Sequence, residues 1–191
     1  MSSLGNKYVL AVDFGYPMNP HARSSILDLT EVVRRHYASD PRTIVLAQDF
    51  IHDMLARRQF RFPAERLIEV ASGQSTTADL KSGGSYHMLQ QARAIMLAIE
   101  RGAYYPGKAV SIELPRSLDG WPRMDATVVA HALHVGRVVK QGKLLNLELT
   151  PAEGLPTRLY GEAAQWWCRS RAGWYFREML GYIPLKLAGQ I

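Results

Sequence analysis

Short apolar runs alternate with segments of helical periodicity along most of this chain. A connection between two parallel strands has to cross the sheet, and a helix is its usual form. The alternation therefore predicts an α/β fold, a Rossmann-like three-layer sandwich whose mostly parallel sheet of about five strands has helices on both faces. The predicted strands are Tyr8–Asp13, Thr43–Ala47, Arg66–Val70, Ala126–Ala130 and Leu144–Leu149, and Ala109–Leu114 is compatible with a further strand.

The length and composition fit one globular domain over residues 1–191. Hydrophobic residues make up 47% of the chain and charged residues 21%, which suits a well-formed core. No apolar run approaches the roughly 18 residues of a spanning helix, and the first residues carry no apolar leader, so we expect a cytoplasmic protein. The single cysteine, Cys168, excludes an internal disulfide and a cysteine-rich zinc site.

The chain is basic, with a formal net charge of +6. This excess favours acidic partners: a phosphate-bearing small molecule, nucleic acid or an anionic membrane surface. The segment from about 161 to 188 interleaves aromatic residues with arginines, which suits packing against the core, a membrane interface or stacking on single-stranded nucleic acid. Because its aromatics do not form one clean stripe, we favour packing, consider nucleic acid the weaker partner and keep peripheral membrane contact open.

The most informative stretch runs from Ala126 to Arg137. Its apolar start is typical of a strand buried on both faces. The apolar pattern stops at His131, His134 and Arg137, and ligands of open α/β sheets bind beyond the carboxyl ends of the strands. Two imidazoles and a guanidinium there suit anion binding or proton transfer. The alternative is that one histidine is satisfied in the core and Arg137 lies on a solvated helix.

Other polar residues follow the remaining predicted strands. Asp13 ends the first strand and is either a functional carboxylate or a turn residue beside Gly15. Arg23 begins the first helix, as an anion clamp or as a surface residue. Glu69 lies near the end of the third strand, where a buried carboxylate needs a partner. The loop after it can donate hydrogen bonds to phosphate or simply cap a helix, through Ser72, Ser75, Thr76 and Thr77.

The usual signatures of phosphate loops, serine hydrolases and zinc proteases are absent. The chain has no Walker A, G-x-G-x-x-G, G-x-S-x-G or H-E-x-x-H pattern. A metal held by His131 and His134 needs a third ligand, for which Asp13 and Glu69 are the obvious candidates. We predict no metal site.

The order of these features resembles the bacterial YdcF/SanA/ElyC-like family, whose biochemical role is poorly defined. The resemblance is carried by Val12–Gly15 with Arg23, by Met54–Glu69, by the hydroxyl loop and by Phe176–Tyr182. The closest match is Val128–Arg137, with His134 and Arg137 on the family's paired positions. Two departures are Ala47-Gln-Asp49, where the family has small residues, and an apparent insertion over Ala103–Arg123.

The resemblance implies a Rossmann-like fold and a site made of Asp13, Arg23, Glu69, the hydroxyl loop, His134 and Arg137. It also brings in S-adenosylmethionine as a candidate ligand, because some relatives are linked to it. We predict a small enzyme that acts on an anionic, phosphorylated or nucleotide-like small molecule, with His134 as the acid–base group. The alternatives are a non-catalytic module that binds a nucleotide-like ligand and, less favoured, a nucleic-acid or membrane-surface binder.

Overall fold

A computed structural model describes residues 7–13, 25–40, 42–57, 62–70, 83–104, 121–159, 169–176 and 179. Five strands and four α-helices alternate along these ranges. The strands are β1 (Lys7–Ala11), β2 (Thr43–Gln48), β3 (Leu67–Val70), β4 (Met124–Val129) and β5 (Leu147–Pro151). The helices are α1 (Ser25–Ser39), α2 (Asp49–Ala56), α3 (Gly83–Glu100) and α4 (Ala132–Leu144). A 3₁₀ turn, Ala64–Arg66, precedes β3, and residues 171–176 are helical.

The five strands form one sheet in the order β3-β2-β1-β4-β5, and all four strand pairs are parallel. From β1 the chain moves outward through β2 to β3, and then returns across the sheet to β4 and β5. The direction of winding therefore reverses between β1 and β4. The predicted α/β class and the mostly parallel sheet of about five strands are confirmed.

The two faces of the sheet carry separate cores, because neighbouring side chains of a strand point to opposite faces. On β1, Leu10 and Val12 pack in a cluster with α3 and α4, whereas Val9 and Ala11 pack in a cluster with α1 and α2. The strand residues of both clusters are almost fully buried. The predicted helices on both faces are thus present. Within the described ranges, no helix is long and apolar enough to cross a membrane.

The C-terminal boundary of α4 differs from the prediction. The helix continues to Leu144, where the sequence pattern predicted the last strand to begin, and β5 begins only at Leu147. The turn is closed by hydrogen bonds from the Leu145 N–H to the Gly142 carbonyl and from the Asn146 N–H to the Lys143 carbonyl. Asn146 has a φ of 52°, a left-handed conformation that asparagine tolerates. The apolar run that begins at Leu144 therefore belongs partly to the end of α4 and partly to β5. The predicted strand Ala109–Leu114 lies outside the described residues.

Helix α4 lies very close to β5 at Gly142. A Cβ atom built on this glycine would lie 2.6 Å from Leu149 Cδ1 and 3.3 Å from the Leu147 carbonyl oxygen. Leu149 is itself buried in the core, so its side chain cannot easily move away. The absence of a side chain at Gly142 therefore sets how closely the helix approaches the strand.

We expect Gly142→Ala to destabilise the protein by about 1–3 kcal/mol, because the added methyl overpacks the contact with β5. The matched control is Gly136→Ala in the same helix, where a Cβ would meet no described atom within 4 Å. Better helix propensity should make that variant more stable by about 0.5–1 kcal/mol. Urea denaturation measures both free energies of unfolding, and equal effects of the two substitutions would contradict the close approach.

Candidate functional site

Asp13 and His131 follow two neighbouring strands at the point where the winding reverses. Ala11 pairs with Ala47 of β2 and with Val129 of β4, and a hydrogen bond of 2.8 Å from the Val12 N–H to the Val129 carbonyl extends the pairing of β1 and β4. Continued along the strands, this register brings Asp13 level with His131. In open α/β sheets such a reversal opens a crevice outside the carboxyl ends of the strands, where ligands bind. We call the space outside the carboxyl ends of β1 and β4, where the topology predicts a ligand, the crevice, and we take it as the candidate site.

Asp13 is held by the start of helix α2. Its N–H donates to Gln48 Oε1 at 2.6 Å, while its carboxylate accepts hydrogen bonds from the backbone N–H groups of Phe50 and Ile51. Gln48 is the N-cap residue of α2, yet its side chain makes no capping bond to the helix. Asp13, which follows β1, therefore caps the N-terminus of α2 with its carboxylate.

Burial raises the pKa of Asp13 from 3.8 to about 7, and repulsion from Asp49 and Asp53 adds to the effect. The N–H groups of Phe50 and Ile51 oppose it. Oδ1 of Asp13 is buried, and no donor among the described residues lies within hydrogen-bonding distance of it. A carboxyl group with this pKa can gain or lose a proton at neutral pH, as a general acid or base must.

His131 is satisfied within the protein. It is fully buried at the N-cap of α4, where Nδ1 accepts a hydrogen bond of 3.2 Å from the Leu133 N–H. Because Nδ1 is an acceptor, the proton of the neutral ring lies on Nε2, which donates to the Arg158 carbonyl at 3.0 Å. Burial lowers the pKa of His131, while the Arg158 carbonyl and Asp28 act in the opposite direction. These contacts favour a structural role for this histidine.

His134 and Arg137 form a buried pair on the first turns of α4. Nη2 of Arg137 lies 3.2 Å from Nδ1 of His134. A guanidinium has only donors, so Nδ1 accepts, and the proton of a neutral His134 lies on Nε2. The ring also meets the indole of Trp174 edge to face, with centroids 5.5 Å apart. Trp174 Nε1 donates to the Leu133 carbonyl at 3.1 Å, which holds the indole against α4.

Glu69 does not join this group. Its side chain is 55% exposed, and its Oε2 lies 3.9 Å from Nδ1 of His52 on α2. In register, Glu69 is level with Ala47 of β2, so three strand spacings, about 14 Å, separate it from β4. The structure places Glu69 and His52 on the far side of the crevice from His134.

The remaining predicted site residues lie outside the described residues, and their roles stay predictions: Gly15, Arg23, Ser72, Ser75, Thr76 and Thr77. The part of the chain that the structure describes holds no group of three histidine, cysteine or acidic side chains that could bind a metal ion.

Two contributors to the site were not foreseen from the sequence. Gln48 reads as the polar end of an apolar strand, and only the folded chain shows that it accepts from the Asp13 N–H. Trp174 was one of several aromatic residues in the C-terminal segment, and its contact with His134 spans 40 positions of the chain. Sequence periodicity carries no signal for either long-range contact.

No protein-family model matches this chain, and neither a curated protein nor a solved structure matches it significantly. The resemblance to the YdcF/SanA/ElyC-like family therefore stays a prediction.

We expect Asp13→Asn to change how stability depends on pH. A protonated Asp13 is favoured in the folded state, so the unfolded chain releases this proton near pH 3.8 and the folded protein only near pH 7. Wild type should therefore lose stability relative to Asp13→Asn as the pH rises from about 4 to about 7, by roughly 2–4 kcal/mol. Asparagine keeps an acceptor for the N–H groups of α2. Urea denaturation of both proteins at several pH values measures the difference, and parallel pH profiles would contradict the raised pKa.

We expect His131→Ala to destabilise the protein by about 2–4 kcal/mol, because the cap of α4 is lost and the Arg158 carbonyl loses its donor. His131→Asn should recover about 1 kcal/mol of this, since its side-chain oxygen can accept from the Leu133 N–H. Denaturation midpoints and slopes in urea report both effects. Wild-type stability of His131→Ala would show that the ring is not a structural element.

Proposed function

We propose that the protein is an enzyme that acts on an anionic, phosphorylated or nucleotide-like small molecule by acid–base chemistry in the crevice between β1 and β4. One observation carries the proposal: an Asp13 carboxyl that titrates near neutral pH follows β1, and a buried imidazole–guanidinium pair follows β4. These groups follow the two strands that flank the reversal of winding. Ligand-binding crevices of open α/β sheets occur at this position.

Arg137 supplies the positive charge that favours an anion. It is buried, where Coulomb attraction is stronger than at the surface. Its Nη2 also orients the His134 ring through Nδ1. Arg137 thus has two parts in the proposed site, as an anion-attracting group and as the residue that fixes the orientation of the imidazole.

The division of labour between His134 and Asp13 follows from their hydrogen bonds. Nδ1 of His134 accepts from Nη2 of Arg137, and this hydrogen bond fixes the orientation of the ring. Asp13 has a pKa of about 7, so it can take a proton from the substrate and return it at the same pH. We therefore assign the acid–base step to Asp13 and a hydrogen-bonding or proton-donating part to His134.

The N-termini of α2 and α4 should not recognise the anion. At α4, the N–H of Ala132 donates to the Pro156 carbonyl and that of Leu133 donates to His131. At α2, the first N–H groups donate to Asp13. The amides that bind phosphate in many nucleotide sites are thus already engaged at α2 and α4, and the proposal assigns the anion to the side chain of Arg137.

We expect a phosphorylated or nucleotide-like compound to raise the melting temperature of wild type and to lose this effect in Arg137→Ala. The panel holds nucleotides, sugar phosphates, polyprenyl phosphate analogues, S-adenosylmethionine and inorganic phosphate. A compound that binds only the folded state at about one hundred times its Kd stabilises the protein by ~2.7 kcal/mol. The control, Arg34→Ala, removes an exposed arginine that pairs with Glu31 on α1, and should keep the shift.

The compound that binds is then incubated with wild type, Asp13→Asn and His134→Gln, and products are followed by mass spectrometry. Turnover by wild type, with a loss of about 10²-fold or more in Asp13→Asn, supports the assignment. Binding that depends on Arg137 without any product would identify a non-catalytic binding module. An equal shift in wild type and Arg137→Ala would remove Arg137 from the site.

A further inference from the structure

Trp174 packs the short helix near the C-terminus against the described part of the protein. Ser170 begins it, since its Oγ accepts from the Gly173 N–H at 3.0 Å and its carbonyl accepts from the Trp174 N–H at 3.0 Å. The indole of Trp174 is buried in the core cluster under α1 and α2 and contacts the first turn of α4. This face of the helix is therefore the one that packs on the domain.

The opposite face exposes large apolar side chains. Tyr175 is 63% exposed, Phe176 50% and Met179 52%. At 100° per residue, these three positions fall within an arc of about 100°, and Trp174 lies on the far side of that arc. We call Tyr175, Phe176 and Met179 the apolar stripe. A contiguous exposed stripe of this kind marks an interaction surface more often than scattered single residues do.

Positive charge accompanies the apolar stripe. Arg169 and Arg171 are both exposed. The sequence from 169 to 179 holds three arginines and one acidic residue, Glu178. The whole chain is also basic, with a net charge of +6. Apolar and aromatic side chains flanked by arginines are the composition of a helix that lies in the headgroup region of an anionic bilayer.

We infer that residues 169–176 and Met179 dock the protein on an anionic membrane surface, with the apolar stripe entering the headgroup region and Arg171 over the lipid phosphates. A second copy of the chain fits less well, because the three half-exposed side chains of two copies together offer several hundred Å², below the roughly 1,200 Å² in total that a stable interface buries. Single-stranded nucleic acid fits less well too, because Met179 offers no ring for a base to stack on.

The docked segment lies beside the candidate site. Trp174 touches His134 and donates to the Leu133 carbonyl, so the docking helix is fixed to the first turn of α4 at the carboxyl end of the sheet. A membrane that holds the apolar stripe would therefore lie close to the crevice. The docking itself does not depend on any activity of that crevice.

Co-sedimentation with vesicles tests the inference. Wild type should pellet with phosphatidylcholine vesicles that contain phosphatidylserine, and much less with vesicles of phosphatidylcholine alone. Phe176→Ser should lower the partition coefficient roughly tenfold, because about half of a phenylalanine side chain no longer leaves water. Arg171→Ala should lower it about fivefold. Tyr175→Ser provides a second variant of the apolar stripe with the same expected direction.

Two matched controls separate docking from general attraction. Phe50→Ser changes another exposed phenylalanine, on α2, and Arg34→Ala removes one exposed positive charge from α1. Both should bind the vesicles as wild type does, and melting temperatures confirm that every variant is folded. Failure of wild type to pellet, or equal losses in Arg34→Ala and Arg171→Ala, would overturn the inference. So would self-association that is abolished by Phe176→Ser, which would assign the apolar stripe to a second copy.

Discussion

Strand β1 is hydrogen-bonded along both edges, to β2 on one side and to β4 on the other, and helices cover both of its faces. A strand in this position has no solvent-exposed side, so its residues from Tyr8 to Val12 are apolar and its backbone groups are satisfied by neighbours. The connection that follows β1 leads to one side of the sheet and the connection that follows β4 leads to the other side. The two connections therefore diverge, and the position of the crevice follows from the central place of β1.

The same constraint explains why polar groups are tolerated where β1 ends. At Asp13 the strand ladder stops, and a buried carboxyl must find donors or remain protonated. Helix α2 supplies two N–H groups, and the nearby carboxylates Asp49 and Asp53 limit how far they stabilise the charge. As a result, Asp13 has a pKa near neutral pH. The same carboxyl group both caps helix α2 and titrates near neutral pH.

The fold could be predicted from the sequence to a greater extent than the site. Alternating apolar runs and helical periodicity sufficed for the parallel sheet and its two helical layers, because both patterns are local. His131 and His134 could not be told apart in this way, since they lie three residues apart in the same stretch. Long-range contacts separate them: Arg158 satisfies His131, whereas the ring of His134 meets Trp174. The predicted boundary between α4 and β5 was wrong because an apolar pair such as Leu144 and Leu145 fits the end of a buried helix as well as the start of a buried strand.

The contact of Gly142 with β5 has a consequence for the site at the other end of α4. A helix whose height on the sheet is fixed at one position cannot slide along its axis, and Gly142 lies eight residues, about 12 Å, beyond His134. The glycine therefore fixes the position of α4 along its axis, and with it how far the imidazole and the guanidinium extend beyond the ends of the strands. The number of residues between His134 and Gly142 is therefore as important for the site as its side chains. A protein with the same histidine–arginine pair but a different spacing would place the pair at a different distance from the ends of the strands.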